Sequence, residues 1–415
     1  MQYKILVNTE IFVTWQGGID LLKYILLPLL EMNKKKYKIY IIVLPKKNFL
    51  SKLNNFFYSI KILKKIYNYL IRKKFIPLFI VENNKQIVEG NNQILKFLNN
   101  ANKKATIIYS NYLNFEENYT KIKPDLVFPC LKPHPISKNK NFGYIMDTQH
   151  NVFKKNFSKD EVLLRKKNDK ILFKASEAIL VNSLFMKKFL NQEFNIYKKK
   201  IYSIPFLPFN TTTIIDDNKN IKKKFNINES YFIVCSQFWI HKNHIFILNV
   251  FFKYCSQGGK CDLVLTGNVH DYRHPEYFLE IKKIINNSIF KNRIKILGNI
   301  NKEYQISLLK NSKLLIQASL YEGGPGAGGC NEAIALGVPI AVSKILIHNE
   351  INYKKINFFN PFKHNELLKL MFKYENKNYK FLTKNEITKK SKRNILILSK
   401  FYSKTLNQIL KYKCA

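Results

Sequence analysis

Short, largely apolar runs recur along the chain, separated by longer mixed stretches. In the first half the runs are YKILVN, YKIYIIVLP, FIPLFIVE, TIIYSN, DLVFPC, FGYIMD, EAILVN and IYSIPF. Short apolar runs rich in Ile, Val and aromatic residues read as strands buried on both faces. Between most of them lie amphipathic stretches such as GGIDLLKYILLPLLEM. Strands alternating with helices predict a parallel sheet with helices on both faces. From Phe209 to Lys224 the pattern lapses into NTTTIIDDNKNIKKK, a polar stretch that suits a linker. It then restarts as YFIVCSQF, CDLVLTGN, IKILGN, KLLIQAS, PIAVSK and INFFNPF. The expectation is an α/β protein of two doubly wound domains, residues 1–208 and 225–390. A linker at 209–224 would join them, and a polar, helical segment at 391–415 would follow.

A chain of 415 residues exceeds one typical domain, and 46% hydrophobic residues suffice for two ordinary cores. No uncharged apolar run approaches the roughly 18 residues that mark a membrane-spanning helix. YILLPLLEM is shorter, with Lys23 before it and Glu31 within it. MQYKILVN reads as an opening strand, not as a basic and then apolar leader, so a cytoplasmic location is expected. The six cysteines include no Cys-x-x-Cys pair, and three lie in or beside strand-like runs, as small hydrophobes would. Disulfide and metal roles are not expected of them.

The net charge of +42 points towards an anionic partner. Lys, Asn, Ile, Phe and Tyr crowd the chain, the residues an AT-rich genome encodes most readily, and coding bias is the plainest account of most of the charge. Lys far outnumbers Arg, whereas base reading favours Arg, and the lysines are dispersed. No specific nucleic-acid partner is expected. An anionic membrane surface remains, since lysines close to it contribute about 1 kcal/mol each.

The chemistry concentrates in SLYEGGPGAGGCNEAIALGVPI, residues 319–340. A strand runs into Glu322, then a glycine-rich turn, then Glu332 and a small-residue helix. Glycine N–H groups at a helix start can hold an anion. A carboxylate beside them suits the hydroxyls of a sugar or ribose. Together they describe a nucleotide-sugar. Gly324-Pro-Gly326-Ala-Gly-Gly329 also satisfies G-x-G-x-x-G, but it lies past residue 320 and the next strand ends at Ser343-Lys344 with no acid for a ribose. The dehydrogenase reading is rejected. Lys242, in SQFWIHKNH beyond a strand, could neutralise a leaving pyrophosphate. His241 and His244 are spaced for a metal, but no third ligand and no DxD motif accompany them. His150 ends an apolar strand in IMDTQHN, with Asp147 three residues earlier as the candidate to orient it. Gly17 and Gly18 follow the first strand, where a tight turn or a close approach to a ligand would need them.

These motifs, in this order, resemble the retaining glycosyltransferases of family 4. GYIMDTQHNVF (143–153) resembles the family's segment with a catalytic-site His, and SQFWIHKNHIF (236–246) its phosphate-binding Lys segment. The resemblance implies a GT-B fold, two Rossmann-like domains facing a central cleft, with the last helix returning to the first domain. His150 and Glu322 become the catalytic residues. Gly17, Gly18, Gln237, Lys242, Gly323, Gly324, Gly326, Gly328, Gly329 and Glu332 become donor-binding, Glu332 on the ribose. No metal and no cofactor are implied, the nucleotide-sugar being a substrate. The implied reaction is transfer, with retention, to a carbohydrate acceptor, lipid-linked, in cell-surface polysaccharide (lipopolysaccharide) biosynthesis. The protein would be cytoplasmic and peripheral on the inner face of the membrane.

Two departures stand out. Glu322 and Glu332 lie two residues further apart than in the family pattern, and Gln237 stands where the family often has an Arg. The glycine loop takes up the extra residues, and His241 or His244 is the candidate to replace the missing cation. Two other readings are a nucleotide-sugar epimerase of the same fold and a non-enzymatic basic protein that binds membrane or nucleic acid.

Overall fold

The structure, a computed structural model, describes residues 2–43, 84–100, 104–110, 115–138, 140–212, 214, 218–377, 379 and 381–411. The chain opens with β1 (Tyr3–Asn8), α1 (Gln16–Leu30), β2 (Tyr37–Val43), α2 (Asn84–Asn100), β3 (Thr106–Tyr109), α3 (Phe115–Ile122), β4 (Leu126–Cys130) and β5 (Asn141–Ile145). It continues with α4 (Gln149–Val152), α5 (Lys159–Ala175), β6 (Ser176–Val181), α6 (Leu184–Glu193), β7 (Lys200–Ser203) and α7 (Asn218–Lys224). Next come β8 (Tyr231–Cys235), α8 (His244–Ser256), β9 (Asp262–Thr266), α9 (Tyr277–Asn286), β10 (Ile294–Gly298), α10 (Lys302–Lys310) and β11 (Leu314–Gln317). The last elements are α11 (Cys330–Leu336), β12 (Ile340–Ser343), β13 (Ile356–Phe359), α12 (His364–Glu375) and α13 (Lys384–Lys411). Every expected strand among the described residues is present; FIPLFIVE, at 75–82, and Cys414 lie outside them.

The strands form two sheets, ordered β3-β2-β1-β4-β5-β6-β7 and β10-β9-β8-β11-β12-β13. Pairing is parallel, in register from Tyr3↔Tyr37 to Asn8↔Ile42 between β1 and β2, and from Tyr231↔Asp262 to Cys235↔Thr266 between β8 and β9. Strand order reverses at β1/β4 and again at β8/β11. Such reversals are where open α/β sheets hold ligands, outside the strands' carboxyl ends.

The period-2 geometry of a strand explains the near-continuous apolar runs. In β8, Phe232 and Val234 join a core with Phe251, Tyr254 and Leu367. Tyr231, Ile233 and Cys235 join another with Leu308, Leu309 and Ile334. β11 divides likewise, Leu314 and Ile316 to one side and Leu315 to the other. Both faces are covered, so both are largely apolar. The five described cysteines are free and buried, Cys130 and Cys235 in strands and Cys255 and Cys330 in helices.

The chain forms two compact units. One comprises Met1–Tyr144, Leu172–Ala178 and Ser399–Ala415, the other Ile145–Ile171 and Ile179–Leu398. This is not a division at 209–224. Residues from Ile145 group with the second unit because they bond to it: Thr148 N donates to Tyr321 Oη at 2.9 Å, and Glu350 accepts from Leu184 N and Phe185 N, each at 2.8 Å. The polar stretch expected as linker ends in helix α7, where Ile221 is buried and Lys222 pairs with Glu229 at 2.8 Å. Helix α13 is shared. Before Ser399 it bonds within the second unit, Lys390 Nζ to Ile334 O at 2.7 Å; beyond, Tyr402 packs on Phe128 of the first unit, centroids 5.6 Å apart. Among the described residues no helix is long and apolar enough to cross a membrane.

Candidate active site

In the second unit, the loops after β8 and β11 flank the reversal of strand order. After β8 the chain makes a short 3-10 turn, Ile240–Lys242, ended by Asn243 in the left-handed conformation at φ 60°. That turn directs Lys242 inward. After β11 the chain runs to Glu322, tied to the first loop by Leu320 N donating to His241 O at 2.8 Å. Lys242 Nζ then meets Glu322 Oε1 at 2.6 Å, with side chains only 9% and 4% exposed. Gln317 Nε2, from the end of β11, donates to the same carboxylate oxygen at 2.8 Å, and Cys330 Sγ donates to Gln317 Oε1 at 3.0 Å. Two residues separated by eighty positions therefore form one buried ionic unit. Desolvation makes such a pair costly to break from one side only.

The glycine loop is glycine for two different reasons. Gly328 and Gly329 hold φ at +64° and +85°, which L side chains resist. Gly323, Gly324 and Gly326 do not have positive φ; they are pressed. A Cβ on Gly323 would lie 2.3 Å from Met146 O, one on Gly324 2.9 Å from Asn182 Cβ, and one on Gly326 2.6 Å from the Phe206 ring. Within the loop Ala327 N is already committed, donating to Gly324 O at 3.4 Å, and Gly326 O accepts from Asn331 N at 3.0 Å.

His150 lies in the four-residue helix α4 and is almost fully buried. Its Nε2 is 3.2 Å from Asp169 Oδ2, on α5. Asp147 does not orient it; its Oδ1 accepts from Gln149 N at 3.0 Å, closing a local turn. Burial raises the Asp169 carboxyl above its usual range, and His150 pulls it back. Tyr321, next to Glu322, accepts from Thr148 N, two residues before His150, and so fixes this segment to the Glu322 loop.

Glu332 is elsewhere, in the first turn of α11, paired with Lys302 Nζ at 2.9 Å and about a fifth exposed. Gln237 lies in the loop after β8, its backbone N 2.9 Å from where a Cβ on Gly267 would stand. Gly17 and Gly18 belong to the first unit and lie inside α1, not in a turn before it; a Cβ on Gly18 would meet Phe12 O at 2.4 Å and the Trp15 ring.

Neither candidate replacement for the missing cation is charged. Burial, with Lys242 close by, lowers His244 to about 3. Burial, then Lys242 and Arg273, lowers His241 well below its usual value. The cation beside this turn is Arg273, which the sequence did not single out. Its guanidinium lies 4.6 Å from the Phe157 ring centre and 5.0 Å from that of Trp239, and its Nη1 donates to Gln149 Oε1 at 3.2 Å. No motif marks an arginine placed this way after β9. Gln149 Nε2, His150 Nδ1, His241 Nδ1, Arg273 Nε and Asp271 Oδ2 are buried without hydrogen-bond partners among the described residues. No three His, Cys, Asp or Glu side chains among those residues gather as a metal group.

Lys242, Glu322 and the glycine loop at the strand reversal invite comparison with known families. Residues 217–393 match the family described as Glycosyl transferases group 1. That group 1 segment holds Gln237, Lys242, Glu322, the glycine loop and Glu332; His150, Gly17 and Gly18 precede it. No curated protein matches the chain. In fold the whole chain is similar to solved structures. Sucrose-phosphate synthase from Thermosynechococcus elongatus superimposes with TM-score 0.58 at 10% identity, over 99% of this chain and 100% of that one. Anabaena HepE, in complex with UDP and glucose, gives 0.58 at 10%, over 98% and 100%. A glycosyltransferase from Rickettsia africae gives 0.56 at 15%, over 99% of each. The fold is GT-B.

Proposed function

We propose that the protein is a retaining, family-4-like hexosyltransferase that moves a sugar from a nucleotide diphosphate donor to a carbohydrate acceptor. The observation that carries this reading is the buried Lys242–Glu322 pair at the strand reversal, inside the group 1 segment. An ammonium has three N–H donors, and one goes to Glu322. The others are available to diphosphate oxygens, where charge grows as the sugar leaves. Glu322 accepts from sugar hydroxyls, and the glycine loop supplies close backbone approach. His150, held by Asp169, contacts the sugar. In the front-face reaction the bond from C1 to the diphosphate oxygen breaks and one from C1 to the acceptor oxygen forms. The acceptor's proton passes to the leaving phosphate. No step draws on a metal or cofactor. The buried Gln149 Nε2 and His241 Nδ1 are suited to saccharide hydroxyls, since buried polar groups left without a hydrogen bond are costly, while Arg273 pairs with Asp271 at 3.6 Å. A lipid-linked acceptor at the inner face of the membrane, for cell-surface polysaccharide, completes the proposal.

The test is a thermal-shift panel of UDP-, GDP- and ADP-sugars, with UDP-glucose first because HepE of the same fold is seen with UDP and glucose. A ligand at a hundredfold excess over its dissociation constant adds about 2.7 kcal/mol. Hits are then incubated with and without acceptor saccharides, in buffer with and without EDTA. Stabilisation by one nucleotide class, followed by acceptor-dependent and EDTA-insensitive transfer, is expected. An epimerised donor formed without acceptor would replace this reading with the epimerase one. No stabilisation by any nucleotide-sugar would overturn it.

A further inference from the structure

Helix α5 wears apolar residues on its outside. It buries Leu172 and Phe173 and turns Asp169 to His150. Glu161 is held by Arg165 and by Tyr272 Oη, the latter at 2.8 Å. On the opposite side stand Leu163, Leu164, Lys167, Lys170, Ile171 and Lys174. Spacings of three, four and seven place them in one stripe. Leu163 is 66% exposed, Leu164 56% and Ile171 44%, and the three lysines are exposed as well. Among the described residues on the helix, Asp160, at its start, is the one acid on that side.

A surface helix ordinarily turns its apolar stripe inward and its charges outward. Here large apolar side chains and lysines share the outer face, and its chemistry selects the occupant. A second copy of the chain would set lysine against lysine in a symmetric contact. Nucleic acid favours arginine and stacking aromatics, and the stripe has neither. An anionic lipid surface uses both halves of the pattern. Leucine and isoleucine enter the boundary between headgroups and acyl chains, and lysines spread over them to reach phosphates. We propose that the outer face of α5 is the surface by which this protein docks on an anionic membrane. This rests in part on the reading of a membrane-bound acceptor, but its test needs neither donor nor acceptor, so either can fail alone.

The test is sedimentation of the full chain with vesicles of phosphatidylglycerol and phosphatidylcholine, and with phosphatidylcholine alone. The protein should pellet with the mixed vesicles only, and salt should release it. Lys167→Glu with Lys170→Glu and Lys174→Glu should weaken partitioning about a hundredfold or more. The same charge change at exposed Lys282, Lys283 and Lys291 should weaken it by less than about tenfold, through net charge alone. Leu163→Ser with Leu164→Ser, which alters no charge, should weaken it at least about tenfold. Thermal melting of each variant checks that it is folded. Equal loss in the two lysine triples would overturn the proposal, leaving total charge as the attraction. So would unchanged binding of the leucine variant, or failure of the wild type to pellet. A dimer in sedimentation equilibrium that the leucine change dissolves would assign the face to a second copy instead.

Discussion

The two strand reversals place the same pair of charges in opposite order and treat them differently. At β1/β4, Glu10 follows the first strand and Lys132 follows the other. At β8/β11, Lys242 follows the first strand and Glu322 follows the other. The second pair is in contact at 2.6 Å and buried. At the first, burial raises the Glu10 carboxyl to about 7, and neither Lys132 nor Asn8 brings it back. The glycines differ too. Gly17 and Gly18 are packed into α1 against Trp15, whereas Gly328 and Gly329 hold left-handed backbone in a loop. At the first reversal the glycines are set by packing. The other keeps a cation, a carboxylate and close backbone together.

The largest effect should come from splitting the second pair. Lys242→Met leaves Glu322 buried without its cation, at a cost of about 3–5 kcal/mol. A loss of activity in that variant therefore conflates folding with chemistry. Lys242→Met with Glu322→Gln removes both charges and should regain most of the melting temperature while transfer stays abolished. Full activity in the double variant would make the pair a structural device, and the two reversals would be alike after all.

That confusion between stability and chemistry was not visible in the chain, which explains what the sequence could and could not tell. The strands were legible because both faces of each sheet are covered, so Tyr231 to Cys235 has nowhere to place a polar residue. Lys242 and Glu322 were legible as candidates because each follows a strand. Their contact was not, since it joins positions eighty apart. Asp169 and Arg273 carried no signal, because a carboxylate on a long helix and an arginine in a loop are ordinary features. His150 was expected at a strand end and lies in a short helix, and Asp147, nearer in sequence, is spent on a local turn. The grouping of residues from Ile145 with the second unit depends on Tyr321 and Glu350, whose partners no local pattern reveals.

Within the loop, Gly328→Val should cost about 2–4 kcal/mol, from positive φ and from crowding. Its Cβ would stand 2.4 Å from Gln317 Oε1, and Gln317 holds Glu322. Nucleotide affinity by calorimetry should fall together with the melting temperature. Gly326→Val keeps an ordinary backbone φ and meets the edge of the Phe206 ring and Asn331 Cβ, and should be milder. Equal effects at the two positions would mean that simple crowding, not the left-handed backbone beside Gln317, sets the loop.

At the first reversal the effect is on pH dependence. A carboxyl with its folded pKa near 7 and its unfolded value near 4.5 binds its proton more tightly in the folded state. Its contribution is fully present below pH 4.5 and is lost as pH rises through 7. Glu10→Gln should remove that loss, making the protein about 3 kcal/mol more stable at pH 8 than the wild type, with little difference at pH 4. Chemical denaturation at the two pH values measures it. A difference between variant and wild type that does not change with pH would overturn the raised pKa of Glu10.

The smallest effect on stability should come from the second carboxylate of the loop. Glu332 and Lys302 are 18% and 20% exposed, and a pair so placed contributes at most about 1 kcal/mol. Glu332→Gln should therefore barely move the melting temperature, in contrast to Glu322. Its effect on binding is separable. If Glu332 accepts from ribose hydroxyls, the change removes a charge-assisted hydrogen bond, and nucleotide affinity should fall about tenfold. The preference of the wild type for a ribonucleotide over its 2′-deoxy analogue should shrink in the same variant. Unchanged affinity and unchanged preference would leave Glu332 as a helix-start carboxylate held by Lys302, favoured there by the helix dipole alone. The nucleotide reading would then rest on the Lys242–Glu322 pair and the left-handed glycines.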